Sequence, residues 1–140
     1  MTGLYGGDIS PSKTMEMLKS DPTSVLVDVR TFAEWHYVGT PDLRSIGKDI
    51  IKIEWRTLPN MDLNEKFVNE LENKITDKDQ TILFLCRTGG RSREAAITMT
   101  AKGYTNCYNI EDGFEGSLDP RMHRGTLSGW KAEKLPWGQE

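Results

Sequence analysis

The 140-residue sequence predicts an α/β fold, a parallel sheet with helices on both faces. Two observations carry that expectation. Short aliphatic runs alternate along the chain with segments whose apolar residues recur at helical spacing, the signature of a parallel sheet. One of the runs, Ile82 to Leu85, is apolar at every position, as a strand buried on both faces must be.

The elements follow in order. Ser10 and Pro11 supply a cap and a first helical position, and Met15, Met17 and Leu18 give that helix an apolar side before Asp21-Pro22 ends it. Val25 to Val29 is a strand interrupted only by Asp28. Thr31 caps a short helix through Phe32, Ala33 and Trp35, closed by Gly39 and Pro41. Asp49 to Trp55, with Ile50, Ile51 and Ile53, reads as a strand. Phe67, Val68, Leu71 and Ile75 form one stripe of a helix from about Asn64 to Ile75, whose Lys and Glu residues form its solvated side. After Ile82–Leu85 a helix runs from Arg93 to Lys102, with Ala95, Ala96 and Met99 on one face and Gly103 as its stop. Asn106 to Ile110 is the last strand, and Glu111 to Glu140 yields only short helical pieces.

The length suits one domain spanning residues 1–140, with an extended C-terminal segment from about 114. A net charge of −3 argues against a general nucleic-acid binder. Apolar runs of four or five residues are far too short for a membrane span. The start, Met1 to Asp8, lacks the apolar core of a signal peptide, so a cytoplasmic protein is expected. Two cysteines make no disulfide framework, and His36 and His123 stand in no metal-ligand spacing. Trp35 and Trp55 read as packing residues, and Cys107 as a small core residue.

The chemistry concentrates in the loop Cys86-Arg87-Thr88-Gly89-Gly90-Arg91-Ser92. A thiol at a strand end, before a helix, faces free backbone N–H groups at the positive end of a helix dipole. Gly89 and Gly90 let consecutive amides turn inward as an anion nest, which a side chain at either position is expected to obstruct. Ser92 is the expected helix cap, with Glu94 suiting the first turn. Arg87, Arg91 and Arg93 bring three positive charges within eight residues, with no acid among them. A free cysteine is ordinarily buried and inert; this setting favours a stabilised thiolate, with Cys86 as nucleophile.

These residues resemble the single-domain rhodaneses, a sulfurtransferase family. The resemblance runs from Ile9 to Trp137, through Leu26-Val27-Asp28-Val29-Arg30 with Glu34-Trp35, the Cys86–Ser92 loop, and Gly103-Tyr104 with Tyr108-Asn109-Ile110 and Gly113. It implies a five-stranded parallel sheet in the order 1-5-4-2-3, placing Asp28 and Arg30 beside the Cys86 loop. It further implies a Cys86 persulfide, formed from an anionic donor such as thiosulfate and discharged to cyanide or a thiol, including a protein thiol. Residues 87–92 would hold donor and persulfide, with Arg87 and Arg91 orienting the donor. Asp28 and Arg30 would brace the loop, with Glu34 as a partner for Arg30. No cofactor, metal, nucleic acid or membrane enters this scheme, and it fixes no oligomeric state.

Phosphatases on this scaffold place the essential Arg six positions after the Cys. Here Arg91 is fifth and Ser92 sixth, a smaller ring that suits a sulfur better than a phosphoryl group. A phosphatase or arsenate reductase is the alternative enzyme, and a non-enzymatic interaction module the alternative role. Two stretches depart from the family pattern: Gly39-Thr40-Pro41-Asp42-Leu43, and an insertion at 117–129 carrying Arg121, His123 and Arg124, expected as a surface loop.

Overall fold

A computed structural model describes residues 4–139. Its centre is a five-stranded, all-parallel sheet of β1 (Asp8–Ile9), β2 (Val25–Asp28), β4 (Ile51–Lys52), β7 (Ile82–Leu85) and β8 (Cys107–Ile110). The spatial order is β1-β8-β7-β2-β4, which is 1-5-4-2-3 when these strands alone are counted. Two short antiparallel ribbons flank it: β3 (Thr40–Pro41) with β9 (Trp137–Gly138), and β5 (Arg56–Thr57) with β6 (Asp62–Leu63).

The side-chain alternation of a strand divides the interior in two. Ile82 and Phe84 face a core with Val27, Phe67, Leu71, Ala95, Ala96 and Met99, under α3 (Phe67–Lys74) and α4 (Gly90–Ala101). Leu83 and Leu85 face the other, with Met15, Leu18, Ile110, Phe114 and Trp130, under α1 (Pro11–Ser20) and the C-terminal segment. Full burial of β7 on both faces is the physical reason its sequence has no polar position.

Local signals place the first two helices. The Ser10 hydroxyl accepts from Lys13 N–H at the start of α1. Thr31 opens α2 (Phe32–Tyr37) with a capping box, its hydroxyl accepting from Glu34 N–H while the Glu34 carboxylate accepts from Thr31 N–H.

Several expectations change. Only Ile51–Lys52 of the 49–55 run forms a ladder with β2. Beyond it Ile53 and Trp55 N–H still donate to Asp28 and Val29 O, before the chain turns into the β5–β6 ribbon. The helix expected from Asn64 starts at Phe67, because the Asn64 carboxamide accepts from Lys66 N–H in a preceding turn. Strand β1 carries no sequence signal, being two residues after Gly6-Gly7. The C-terminal segment holds no helix among the described residues. Main-chain bonds order it instead, as when Trp130 N–H donates to Gly113 O and Asp42 N–H to Pro136 O. Within it the 117–129 stretch folds around Asp119, whose carboxylate accepts from Arg121 N–H, His123 N–H and the Thr126 hydroxyl. Among the described residues no helix is long and apolar enough to cross a membrane.

Candidate functional site

Strand register brings the site residues together. Asp28 pairs with Leu85 across β2 and β7, and Val29 N–H donates to Leu85 O, so the ends of both strands open at one place. Ligands of open parallel sheets bind beyond such C-terminal strand ends. Cys86 follows β7 directly, and α4 begins four residues later.

Helix α4 starts at Gly90 with Gly89 as its cap, three residues before the expected start. Gly89 has φ +115°, a conformation that a side chain strains. A Cβ on Gly90, by contrast, would meet no protein atom within 4 Å, so the obstruction expected there is not intrinsic to the loop. Ser92 is therefore no cap. It lies inside the first turn of α4, fully buried, with its hydroxyl turned toward Cys86.

The thiol sits among polar donors within an otherwise apolar shell. Cys86 is 1% exposed and borders the core of Val29, Phe84 and Ala95. Its Sγ lies 3.0 Å from Gly89 N, which donates to it, and 3.1 Å from Ser92 Oγ. Negative charge on that sulfur would be met by an amide dipole, a hydroxyl dipole and the N-terminus of α4. Ser92 Oγ also lies 2.5 Å from Asn109 Oδ1, and Asn109 Nδ2 donates to Asp8 Oδ1 at 3.0 Å. Asn109 is a residue that sequence reasoning missed as part of the site. Its signal was a polar side chain in the last strand, at a position that proves buried.

The loop is braced from two sides. Asp28 and Arg30 are both fully buried: Arg30 Nε donates to Asp28 Oδ1 at 2.9 Å, and Nη2 to Oδ2 at 2.7 Å and to Gly39 O at 2.8 Å. The guanidinium lies 4.3 Å from the Phe114 ring centroid, a face that accepts its charge. Phe114 in turn donates its N–H to Cys86 O. Arg30 Nη1 is buried and meets no hydrogen-bond partner among the described residues, so this dry pair is not fully satisfied and its place here is to fix the geometry under the thiol rather than to add stability.

Glu34 is not the partner of Arg30; its reach across the site is to α4. Arg91 Nη1 and Nη2 donate to Glu34 Oε1 and Oε2 at 2.7 and 2.9 Å. Burial pushes the Glu34 carboxyl upward, but the Arg91 hydrogen bonds and charge, with those of Thr31, outweigh it and hold it below its usual range. Burial likewise opposes the Arg91 charge, and Glu34 more than restores it. Arg87 and Thr88 are exposed at the loop tip, and Arg87 enters no ion pair among the described residues.

The 117–129 insertion adjoins this loop through its stem, since Glu115 and Gly116 N–H both donate to Arg87 O. Cys107 is buried on β8 and its thiol is pushed up to about 11 by desolvation. Among the described residues no group of three or more His, Cys, Asp or Glu side chains converges to hold a metal.

Four similar proteins and one family model bear on identity. A crystal structure of Rv0390 from M. tuberculosis shares 47% identity, with a TM-score of 0.90, over 97% of this chain and 99% of that one. A Rickettsia conorii protein, "Uncharacterized protein RC0915", is 42% identical over 93% of this chain and 95% of its own length. Rhodanese-like domain-containing protein 4 of Arabidopsis thaliana chloroplasts is 30% identical over 86% of this chain, which spans 23% of that larger protein. A polysulfide-sulfur transferase homodimer from Wolinella succinogenes, at 22% identity and a TM-score of 0.64 over 95% of this chain and 78% of that one, shares the fold. The family model described as STR4 middle domain matches residues 6–140, and the chain belongs to that family and, more broadly, to the rhodanese-like domains.

Proposed function

We propose that this protein is a sulfurtransferase in which Cys86 carries a sulfane sulfur from an anionic donor to a thiophilic acceptor. The observation that carries the reading is the polar setting of Sγ at the head of α4, where Gly89 N–H donates to it at 3.0 Å and the Ser92 hydroxyl lies within reach at 3.1 Å. The fold is one on which the Wolinella protein transfers polysulfide sulfur.

With thiosulfate, the Cys86 thiolate attacks the outer sulfur and the S–S bond of the donor breaks. Sulfite leaves with the electron pair, and Cys86-S-S⁻ remains. Cyanide or a thiolate then attacks the outer sulfur and returns Cys86 as thiolate, so the two half-reactions alternate. The amides of the 87–91 loop stabilise the persulfide anion as an oxyanion hole stabilises oxygen. Burial of Cys86 favours a donor whose sulfane sulfur projects from a small anionic head, and Arg87, exposed at the loop tip and in no ion pair among the described residues, would grip that head.

Intact-mass measurement after thiosulfate treatment tests this. The expected result is a gain of one sulfur, roughly 32 Da, lost on reduction and absent in Cys86→Ser. A Cys86→Ser protein that still takes up the sulfur refutes the role of Cys86. Hydrolysis of a phosphate ester without sulfur uptake would establish the phosphatase reading, and inertness in both assays the interaction module.

A further inference from the structure

We infer that Asn109 and Asp8 form a positioning device that sets how far the Ser92 hydroxyl serves the Cys86 sulfur. The inference rests on the reading of Cys86 as the reactive thiol. It deepens that reading by naming the residues that tune the sulfur from behind.

Ser92 has one hydroxyl proton and two acceptors within reach, Cys86 Sγ at 3.1 Å and Asn109 Oδ1 at 2.5 Å. It can donate to only one at a time. Ser92 is fully buried and Asn109 is 4% exposed, so solvent offers neither a substitute. The Asn109 carboxamide is held in one orientation, because its Nδ2 donates to Asp8 Oδ1. A carboxylate accepts and does not donate, which turns Oδ1 toward Ser92. Asp8 is itself set by Tyr5, whose hydroxyl donates to the same Oδ1 at 2.8 Å, and Tyr5 lies under the Arg93 guanidinium.

The chain therefore has two arrangements. In one, a neutral Cys86 S–H donates to Ser92 Oγ and the serine donates to Asn109. In the other, the sulfur is anionic and receives the serine proton, while Asn109 Oδ1 loses its donor. The second arrangement is the reactive one, and Asn109 opposes it. Three strands and a helix contribute charged groups around this chain: Asp8 from β1, Asp28 at the end of β2 with Arg30 just beyond it, Arg87 after β7, and Arg91 from α4.

Asp8→Ala releases the carboxamide, which can then turn Nδ2 toward Ser92 and leave the hydroxyl to the sulfur. Asn109→Leu removes the competing acceptor at similar volume. Both should raise the rate of Cys86 alkylation by iodoacetamide at neutral pH, and the ultraviolet absorbance of the thiolate, by roughly fivefold, the worth of one hydrogen bond. Ser92→Ala should lower both. In a Ser92→Ala background, Asp8→Ala should have no effect. That null separates the device from simple removal of a negative charge, whose influence would persist without the serine. An unchanged alkylation rate in Asp8→Ala, or an equal increase with and without Ser92, overturns the inference. Asp8 is exposed, so the test stands even where Asn109→Leu fails to fold. Alkylation does not require sulfur transfer, so failure here is distinguishable from failure of the proposed activity.

Discussion

Arg91 and Glu34 share two hydrogen bonds, 2.7 and 2.9 Å long, that tie α2 to the first turn of α4 across the mouth of the site. The pair is mostly shielded, with side chains 17% and 19% exposed. The same carboxylate closes the Thr31 capping box, so one residue orders the start of a helix and the wall of the Cys86 loop.

Glu34→Gln keeps the shape and removes the charge. It should lower stability at neutral pH by roughly 1–2 kcal/mol, above the range of an exposed pair because both forks of Arg91 are engaged. The Glu34 carboxyl is depressed in the folded protein, so its contribution is complete above the unfolded value of about 4.3. It is lost as pH falls through the lower folded value. Urea unfolding of both proteins should therefore differ at neutral pH and converge in acid. An equal gap at both pH values would show that shape, and not charge, carries the effect.

The sequence offered both Arg87 and Arg91 as donor-orienting residues, with Arg91 favoured, and the structure separates them the other way. Arg91 is neutralised by Glu34, whereas Arg87 is exposed and unpaired among the described residues. Arg87→Ala should raise KM for thiosulfate roughly tenfold, about one charge-assisted hydrogen bond, with kcat little changed. Arg91→Ala should instead lower kcat and stability together, because it releases the loop from α2. Steady-state kinetics with both variants decide the matter, and a KM effect confined to Arg91→Ala would reverse the assignment.

A close main-chain approach behind the loop gives a third test. Asp112 and Gly113 are successive left-handed residues, and a Cβ on Gly113 would run into Cys86 O and lie 2.6 Å from Arg87 C. Gly113→Ala must push the thiol loop aside. We expect a loss of roughly 2–4 kcal/mol from overpacking plus backbone strain, with sulfur uptake reduced. Gly47→Ala is the control: it also has positive φ, at +72°, but its Cβ would meet nothing within 4 Å. It should cost about 1 kcal/mol and leave uptake intact. Equal losses in the two variants would assign the effect to backbone conformation alone.

The sequence made legible those features that rest on short-range physics. The apolar run of β7, the Ser10 and Thr31 caps, and a thiol at a strand-to-helix turn each follow from neighbouring residues. What stayed hidden depends on contacts between distant segments. Glu34 was assigned to Arg30, four residues away, when its partner is Arg91 on another helix. Ser92 had the residue type of a cap, but the helix begins at Gly90, and the hydroxyl is diverted to the sulfur and to Asn109. The C-terminal segment lacked any periodic pattern because Trp130 and Phe114, not an amphipathic stripe, bury it against the sheet.

Cys107 supplies the last prediction, through its contrast with Cys86. Both thiols are buried, but their surroundings differ in polarity. Cys86 faces an N–H and a hydroxyl, whereas desolvation dominates at Cys107 and pushes its thiol up to about 11. Cys107 therefore stays protonated across the neutral range, and a protonated thiol is a poor nucleophile. Brief iodoacetamide treatment of native protein should add one adduct, which peptide mapping places on Cys86, while denatured protein takes two. Cys107→Ala should lower stability by about 1 kcal/mol, the cost of a small cavity, and leave sulfur uptake unchanged. Two adducts forming at similar rates on native protein would mean that β8 opens readily, and that Cys107 is not the inert core residue its burial implies.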